Sequence, residues 1–203
     1  MCKYNRTCRK FRNNYRTTTY DEWSRKYKCS LCWRKNSNRW INFNKIFLAG
    51  KISETVEEKL KEGNIKSIDL LKREELVVLN TIATAEGTIQ LAMENTQKTI
   101  HGSNILIMGF GRVGKVLAKM LDGIGAKVSC EARKNSDIAW IKAYGYNPIH
   151  LSELDTVLGD YDIIINTIPF QILDENRLKY VKKECTILDL SSTPGGVDRN
   201  AAR

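Results

Sequence analysis

From Ile46 onward the chain alternates short apolar runs with amphipathic stretches. Ile46-Phe47-Leu48-Ala49-Gly50 reads as a short buried strand. Ser53 to Lys61 follows as a helix, with Ile52, Val56 and Leu60 four residues apart on one face and Glu62-Gly63-Asn64 closing it. Ile65 to Leu71 predicts a second strand and Lys72 to Leu79 a helix. Thr84 opens a longer helix through Asn95, with Ile89, Ala92, Met93 and Thr96 on one side. Further on, strands are expected at Ile105–Met108, Ala126–Cys130, Tyr146–His150, Tyr161–Asn166 and Thr186–Leu190. The run Ile163-Ile164-Ile165 is as continuous as a strand buried on both faces should be. Between them Val116, Leu117, Met120 and Leu121 mark a helix that Gly123 and Gly125 end, Asp137 to Ala143 marks another, and Ser152-Glu153-Leu154-Asp155 has the pattern of a capping box opening a third. Strands and helices in strict alternation predict an α/β fold on a parallel sheet.

The run Ile105-Leu106-Ile107-Met108 breaks into Gly109-Phe110-Gly111-Arg112-Val113-Gly114 and resumes with helical periodicity. The three glycines serve different ends. Gly109 allows the sharp turn, Gly111 the close approach of a pyrophosphate, and Gly114 the packing of helix on strand. The helix start supplies amides for the phosphates. This is a Rossmann-type doubly wound parallel sheet, and the chain stops at Arg203 before a further strand and helix, so the sheet is expected to be incomplete. Residues 46–83 are read as the remnant of an N-terminal α/β domain, 84–98 as an interdomain helix and 99–203 as the NAD(P)-binding domain. Residues 109–114 are the first cofactor-binding candidates.

The end of the second strand of this domain bears on the cofactor. In NAD enzymes an acid about 20 residues past the glycines holds the ribose hydroxyls. That slot falls on Ala132, one beyond Glu131, and Arg133-Lys134-Asn135-Ser136 follows. Arg133 and Lys134 suit a 2′-phosphate, which favours NADP; a one-residue shift would restore Glu131 as the acid and favour NAD. Asn166-Thr167-Ile168-Pro169 and Ser191-Ser192-Thr193-Pro194-Gly195-Gly196 are polar loops at the carboxyl edge, where such sheets bind ligands, and Thr167, Ile168 and Pro169 join the cofactor candidates. His101 reads as a turn residue and His150 as a packed strand-end residue. Cys130 and Cys185 read as reduced core thiols.

Residues 1–45 are different. They carry 13 Lys/Arg against 2 Asp/Glu, so that the remaining 158 residues, with 20 bases and 21 acids, are close to neutral although the whole chain is +10. Three of the four tryptophans lie there, with Cys2, Cys8, Cys29 and Cys32, and no hydrophobic period is visible. Cys29-Ser30-Leu31-Cys32 is a zinc-knuckle spacing. The favoured reading is a disordered or frame-shifted segment with no metal, since a reading-frame error yields Asn, Lys, Arg and Tyr without patterning. No apolar run is long enough to cross a bilayer and no signal-peptide centre is visible, so a cytoplasmic protein is expected.

Beyond the glycine turn, Phe47-Leu48-Ala49-Gly50-Lys51-Ile52-Ser53, Thr84-Ala85-Glu86-Gly87-Thr88-Ile89, Thr99-Ile100-His101-Gly102-Ser103, Ile165-Asn166-Thr167-Ile168-Pro169, Leu188-Asp189-Leu190-Ser191-Ser192 and Pro194-Gly195-Gly196-Val197-Asp198 resemble the dipicolinate synthase A-subunit family of spore-forming bacteria. The likeness runs from about Ile46 to Asp198. It implies oxidation of a hydroxy-tetrahydrodipicolinate to dipicolinate with NADP, in the cytoplasm of a sporulating cell, in an oligomer and beside a flavoprotein-like B subunit. It makes Thr84, Glu86, Ser191 and Ser192 the catalytic candidates, with Lys51 and the Gly195–Gly196 amides as further carboxylate anchors. Glu86 reads equally well as an acid at a helix start. The likeness also leaves the chain as a fragment that need not be active. The competing reading is an NAD(H)-sensing regulator whose basic, cysteine-rich arm grips DNA; a membrane partner is not expected, and nucleic acid is the less favoured partner.

Overall fold

The computed structural model describes residues 46–192, 195–198 and 200–202. These fall into two units, residues 46–79 and residues 80 onward. The zinc-knuckle cysteines and the whole basic segment lie outside the described residues, as do Thr193 and Pro194.

In the smaller unit β1 (Ile46–Ala49), α1 (Glu54–Glu62) and β2 (Lys66–Asp69) make a β-α-β element, with β1 and β2 parallel and Ile46 opposite Lys66. The second strand is shorter than its apolar pattern predicts. Asp69 ends it by accepting the Leu71 amide at 2.9 Å and the Ile52 amide at 3.1 Å, and Leu70–Lys72 turn into a 3-10 helix.

The two helices expected at 72–79 and 84–95 are one, α2 (Glu74–Asn95), and the boundary between the units falls inside it. Nothing between Leu79 and Thr84 is Gly or Pro, so no residue there breaks the backbone hydrogen bonding. α2 has 22 residues and holds an 18-residue stretch with a mean hydropathy of 1.3, so by length and composition it could cross a bilayer, contrary to the expectation from the sequence. It buries Ala85, Ile89, Leu91 and Ala92 in the larger unit, as a core helix does.

The larger unit holds β3 (Asn104–Met108), α3 (Arg112–Gly123), β4 (Lys127–Ala132), α4 (Asn135–Ala143), β5 (Asn147–His150), α5 (Leu154–Val157), β6 (Ile163–Asn166), α6 (Glu175–Leu178) and β7 (Thr186–Asp189). All pairings are parallel, in the order β5-β4-β3-β6-β7. Counted within the sheet this is 3-2-1-4-5, the Rossmann order without a sixth strand among the described residues. β5 is an edge strand and contains Pro148, which has no N–H to give a neighbour.

Pleating sends alternate residues to opposite faces. Ile105, Ile107, Val128, Cys130, Ile163 and Ile165 pack under α2, α3 and α4, while Leu106, Met108, Ile164 and Ile187 pack under Leu154, Leu158 and Leu173. Each fully buried isoleucine contributes roughly 1.5–3 kcal/mol of burial. The first strands and helices are thereby held rigidly beneath the carboxyl edge. Cys130 and Cys185 are buried thiols, and burial pushes the Cys130 thiol up to about 12.

At the opposite edge Asp162 organises the strand starts. Its carboxylate accepts the Asn104 amide at 2.9 Å, Lys98 Nζ at 2.6 Å and Lys182 Nζ at 2.8 Å. His101 packs against Gly125 in the turn before β4, away from the ligand edge.

Candidate nucleotide site

Gly109 follows β3 with φ +91°, and a Cβ there would lie 2.7 Å from Ile168 Cγ1 and Thr167 Oγ1. A Cβ on Gly114 would stand 2.1 Å from the Gly109 carbonyl oxygen. Both positions are closed to any side chain by protein atoms. Gly111 is not: nothing lies within 4 Å of the position its Cβ would take. It is the N-cap of the 12-residue α3 and supplies no side-chain cap. A helix start next to open space, made without a side chain, fits a pyrophosphate. Phe110 is buried between these glycines, its ring 6.2 Å from that of Tyr144 after α4, with Lys115 Nζ 5.4 Å from the ring centre. Arg112 and Val113 form the first turn of α3.

At the end of β4 the pleat separates Glu131 from Ala132. Ala132 lies with the α3-side core, whereas Glu131 pairs with Met108 and turns its fully buried carboxyl group beneath the glycine turn. Its Oε2 accepts the Gly109 amide at 3.2 Å, and Oε1 is buried with no partner. Burial raises the pKa of this group, against the Gly109 hydrogen bond and the charges of Arg133, His150 and Arg177 that lower it. Arg133 and Lys134 are exposed, and Lys134 is the N-cap of α4, again without a side-chain cap. His150, at the end of β5, directs Nε2 to the Arg133 carbonyl oxygen at 3.2 Å. It is also the residue that caps the next turn: its Nδ1 accepts the Ser152 amide, and Glu153 accepts the His150 amide. The capping box expected to start at Ser152 therefore starts two residues earlier, because a histidine ring nitrogen does what a serine hydroxyl usually does.

The other side of the glycine turn is built by the loops after β6 and β7. Thr167 donates its amide and its hydroxyl to the Met108 carbonyl, at 3.0 and 2.9 Å, and Ile168 packs over Gly109, while Pro169 is exposed in the same loop. Asn166 fixes this loop, accepting the Ile168 amide and donating to the Ile168 carbonyl and to Asp189. Asp189 is the buried centre of the arrangement. Its Oδ1 accepts Asn166 Nδ2 at 2.9 Å, the Ser191 amide at 3.1 Å and the Ser191 hydroxyl at 2.6 Å, and its Oδ2 accepts the Gly196 amide at 3.0 Å.

These bonds alter the set of substrate-side candidates. Ser191 is buried and spends its hydroxyl on Asp189; the Gly196 amide is committed to Asp189 and the Gly195 amide to the Ser192 carbonyl. The two glycine amides expected to anchor a carboxylate are thus used to close their own loop. Ser192 is exposed at its rim. Thr84 directs its hydroxyl to the Asn80 carbonyl at 3.4 Å. Glu86 lies mid-helix, so the helix-start reading does not apply, and it borders an apolar groove with Ile89, Met93, Met120 and Ile124. Met120 and Ile124 are at the end of α3 remote from the glycine turn, about 12 Å along the axis for eight residues. Among the described residues no group of three or more His, Cys, Asp or Glu could hold a metal ion.

A parallel sheet in this order with an uncapped helix start over an open glycine is the arrangement of a dinucleotide-binding domain. Residues 80–194 match the D-isomer specific 2-hydroxyacid dehydrogenase, NAD binding domain, and the chain belongs to that family. It is 37% identical over 153 residues to the A subunit of dipicolinate synthase from Bacillus subtilis (strain 168), an overlap that covers 75% of this chain and 52% of that protein. The crystal structure of the dipicolinate synthase A chain from Bacillus subtilis superposes with a TM-score of 0.71 at 37% identity, over 77% of this chain and 53% of that one. The corresponding protein from Bacillus halodurans gives 0.70 at 36%, over 77% and 54%. These are the relatives to which the sequence motifs point, and the chain spans about half their length.

Proposed function

We propose that this chain is the nucleotide-binding part of an NADP-dependent dehydrogenase subunit. Its substrate would be a dicarboxylate of the hydroxy-tetrahydrodipicolinate type, oxidised to dipicolinate in the cytoplasm of a sporulating cell beside a B subunit. The observation that carries the cofactor reading is the split at the end of β4. Ala132 leaves the ribose slot without an acid, Glu131 is buried beneath the turn, and Arg133 and Lys134 stand exposed where a 2′-phosphate would lie. The bound nicotinamide would supply the hydride acceptor.

This chain's residues hold and exclude. The first turn of α3 would bind the pyrophosphate over Gly111, and the two cations the 2′-phosphate. Thr167, Ile168 and Pro169 would border the nicotinamide side, kept in place by Asn166. Ser192 is the substrate-side group that the loop leaves exposed, and Asp189 keeps that loop closed. Holding donor and acceptor together is the main contribution such a scaffold makes to rate.

NAD is the second reading: Oε1 of Glu131 is buried without a partner, and a ribose hydroxyl would satisfy it if the end of β4 shifted to bring that carboxylate into the ribose slot. Titration calorimetry with NADPH and NADH separates the two. Tighter NADPH binding by tenfold or more supports NADP, and equal or tighter NADH binding refutes it. Formation of NADPH from the dicarboxylate, with a B subunit supplied, tests the substrate.

A further inference from the structure

We propose that His150 is a positioning residue for the 2′-phosphate subsite, setting the backbone from which Arg133 and Lys134 act. The inference rests on the NADP reading above and names a residue that makes the subsite selective. His150 and Ala132 are opposite one another in the β4–β5 ladder, so the imidazole sits beside the turn that leads from β4 into α4. Its Nε2 meets the Arg133 carbonyl oxygen at 3.2 Å. The ring's orientation is fixed from behind. Nδ1 accepts the Ser152 amide at 3.3 Å and lies 2.7 Å from the Ser152 hydroxyl, while the His150 amide donates to Glu153. An amide can only donate, so Nδ1 is the acceptor, the proton is on Nε2, and Nε2 donates to Arg133.

The consequence lies in the peptide between the two cations. In a trans peptide the carbonyl and the following N–H point in opposite directions. Holding the Arg133 carbonyl on the β5 side therefore turns the Lys134 N–H away from β5 and fixes the plane from which both long side chains leave. Lys134 is also the N-cap of α4, and its side chain does not cap the helix. The first amides of a nine-residue helix and two flexible cations are thus placed by one imidazole rather than by the anion itself. A turn ordered in advance has less freedom to lose when the phosphate arrives.

The test uses the whole chain and two small probes, 2′,5′-ADP and 5′-AMP, which differ by the phosphate in question, with calorimetry for affinity and a thermal melt for folding. The unaltered protein should bind 2′,5′-ADP more tightly than AMP; if it does not, the NADP reading itself fails. Given that preference, His150→Ala should weaken 2′,5′-ADP about fivefold, the loss expected for one hydrogen bond, and AMP less than about twofold. His150→Gln, which can offer an N–H to the same carbonyl, should recover part of the difference. Equal losses for both probes, or no loss, overturn the positioning role while leaving the NADP reading intact. If His150→Ala does not melt cooperatively, Ser152→Ala, which removes only the hydroxyl behind the ring, carries the same comparison. A selective loss of about twofold then supports the role, and an unselective or absent loss overturns it.

Discussion

Gly111→Ala and Gly114→Ala distinguish a ligand cradle from a packing turn, because the two methyl groups would meet different things. At 114 the methyl would stand 2.1 Å from the Gly109 carbonyl oxygen, against the 3.4 Å at which ordinary contact begins, so the start of α3 must move by more than an ångström. Overpacking of this kind costs about 1–3 kcal/mol, and the moved helix start also loses its hydrogen-bond geometry toward a phosphate. At 111 there is no atom within 4 Å and φ is −82°, which alanine adopts freely. Loss of chain freedom in the unfolded state stabilises the alanine variant by about 0.4–1 kcal/mol, and the poorer N-cap offsets it by a similar amount. Gly111→Ala should therefore melt within a few degrees of the parent, by the roughly 2–8 °C per kcal/mol expected for units of this size. It should nonetheless lose NADPH affinity by tenfold or more, because the methyl fills space the pyrophosphate needs. Gly114→Ala should lose both stability and affinity. Circular dichroism melts and calorimetry on the two variants decide the matter. A Gly111→Ala protein that binds NADPH as the parent does would refute the cradle and leave only a tight turn.

Three further perturbations follow from the same geometry. Arg133→Ala combined with Lys134→Ala should weaken NADPH by about 10–100-fold, the range for lost charge-assisted hydrogen bonds, and leave NADH within about threefold; parallel losses in fluorescence titrations would count against a 2′-phosphate subsite. Asp189→Asn puts an NH2 group among four donors and should cost about 2–4 kcal/mol in urea unfolding, and a loss below about 1 kcal/mol would mean that the loops hold without it. Asp162 is raised by burial but lowered more by hydrogen bonds from Lys182, Lys98 and the Asn104 amide, so its folded pKa lies below the unfolded value of 3.8. Its contribution is complete above that value and fades as pH falls below it, so the stability gap between the parent and Asp162→Asn should be widest at neutral pH and close in acid; a gap independent of pH would contradict the ion pairing.

What could be read in the sequence were the features whose cause is local. Three glycines at fixed spacing, isoleucine runs and helix faces each act within a few residues, and the strands of the larger unit, the glycine turn and the exposed cations are where that pattern places them. The continuous α2 was not legible because its first turns bury nothing while Thr81 to Ala92 is largely buried, and an apolar face that starts part-way along a helix resembles a break when only periodicity is followed. Glu131 depended on the parity of the pleat: one residue of shift moves a carboxylate from the ribose slot to the interior. Asp189 was hidden for another reason. Ser191 and Gly196 reach it from the loop that follows β7, but Asn166 adjoins it only after β6 and β7 have paired. An acid as the last residue of an otherwise apolar strand was the available signal, and it becomes informative once the strand is known to be parallel and buried. The anchoring amides at Gly195 and Gly196 were misplaced by the same omission, since a loop's free donors cannot be counted before its internal acceptor is known.

Pro148 gives the sheet a polarity that has nothing to do with cofactors. Being within the β5 edge, it interrupts the row of donors that an incoming strand would need there, while β7, at the opposite edge, has a partner only on the β6 side among the described residues. Growth of the sheet, by more of the same polypeptide or by a neighbouring molecule, is thus directed to the β7 border. Replacing Pro148 would restore the missing donor on the β5 flank, the kind of open edge to which another strand can add.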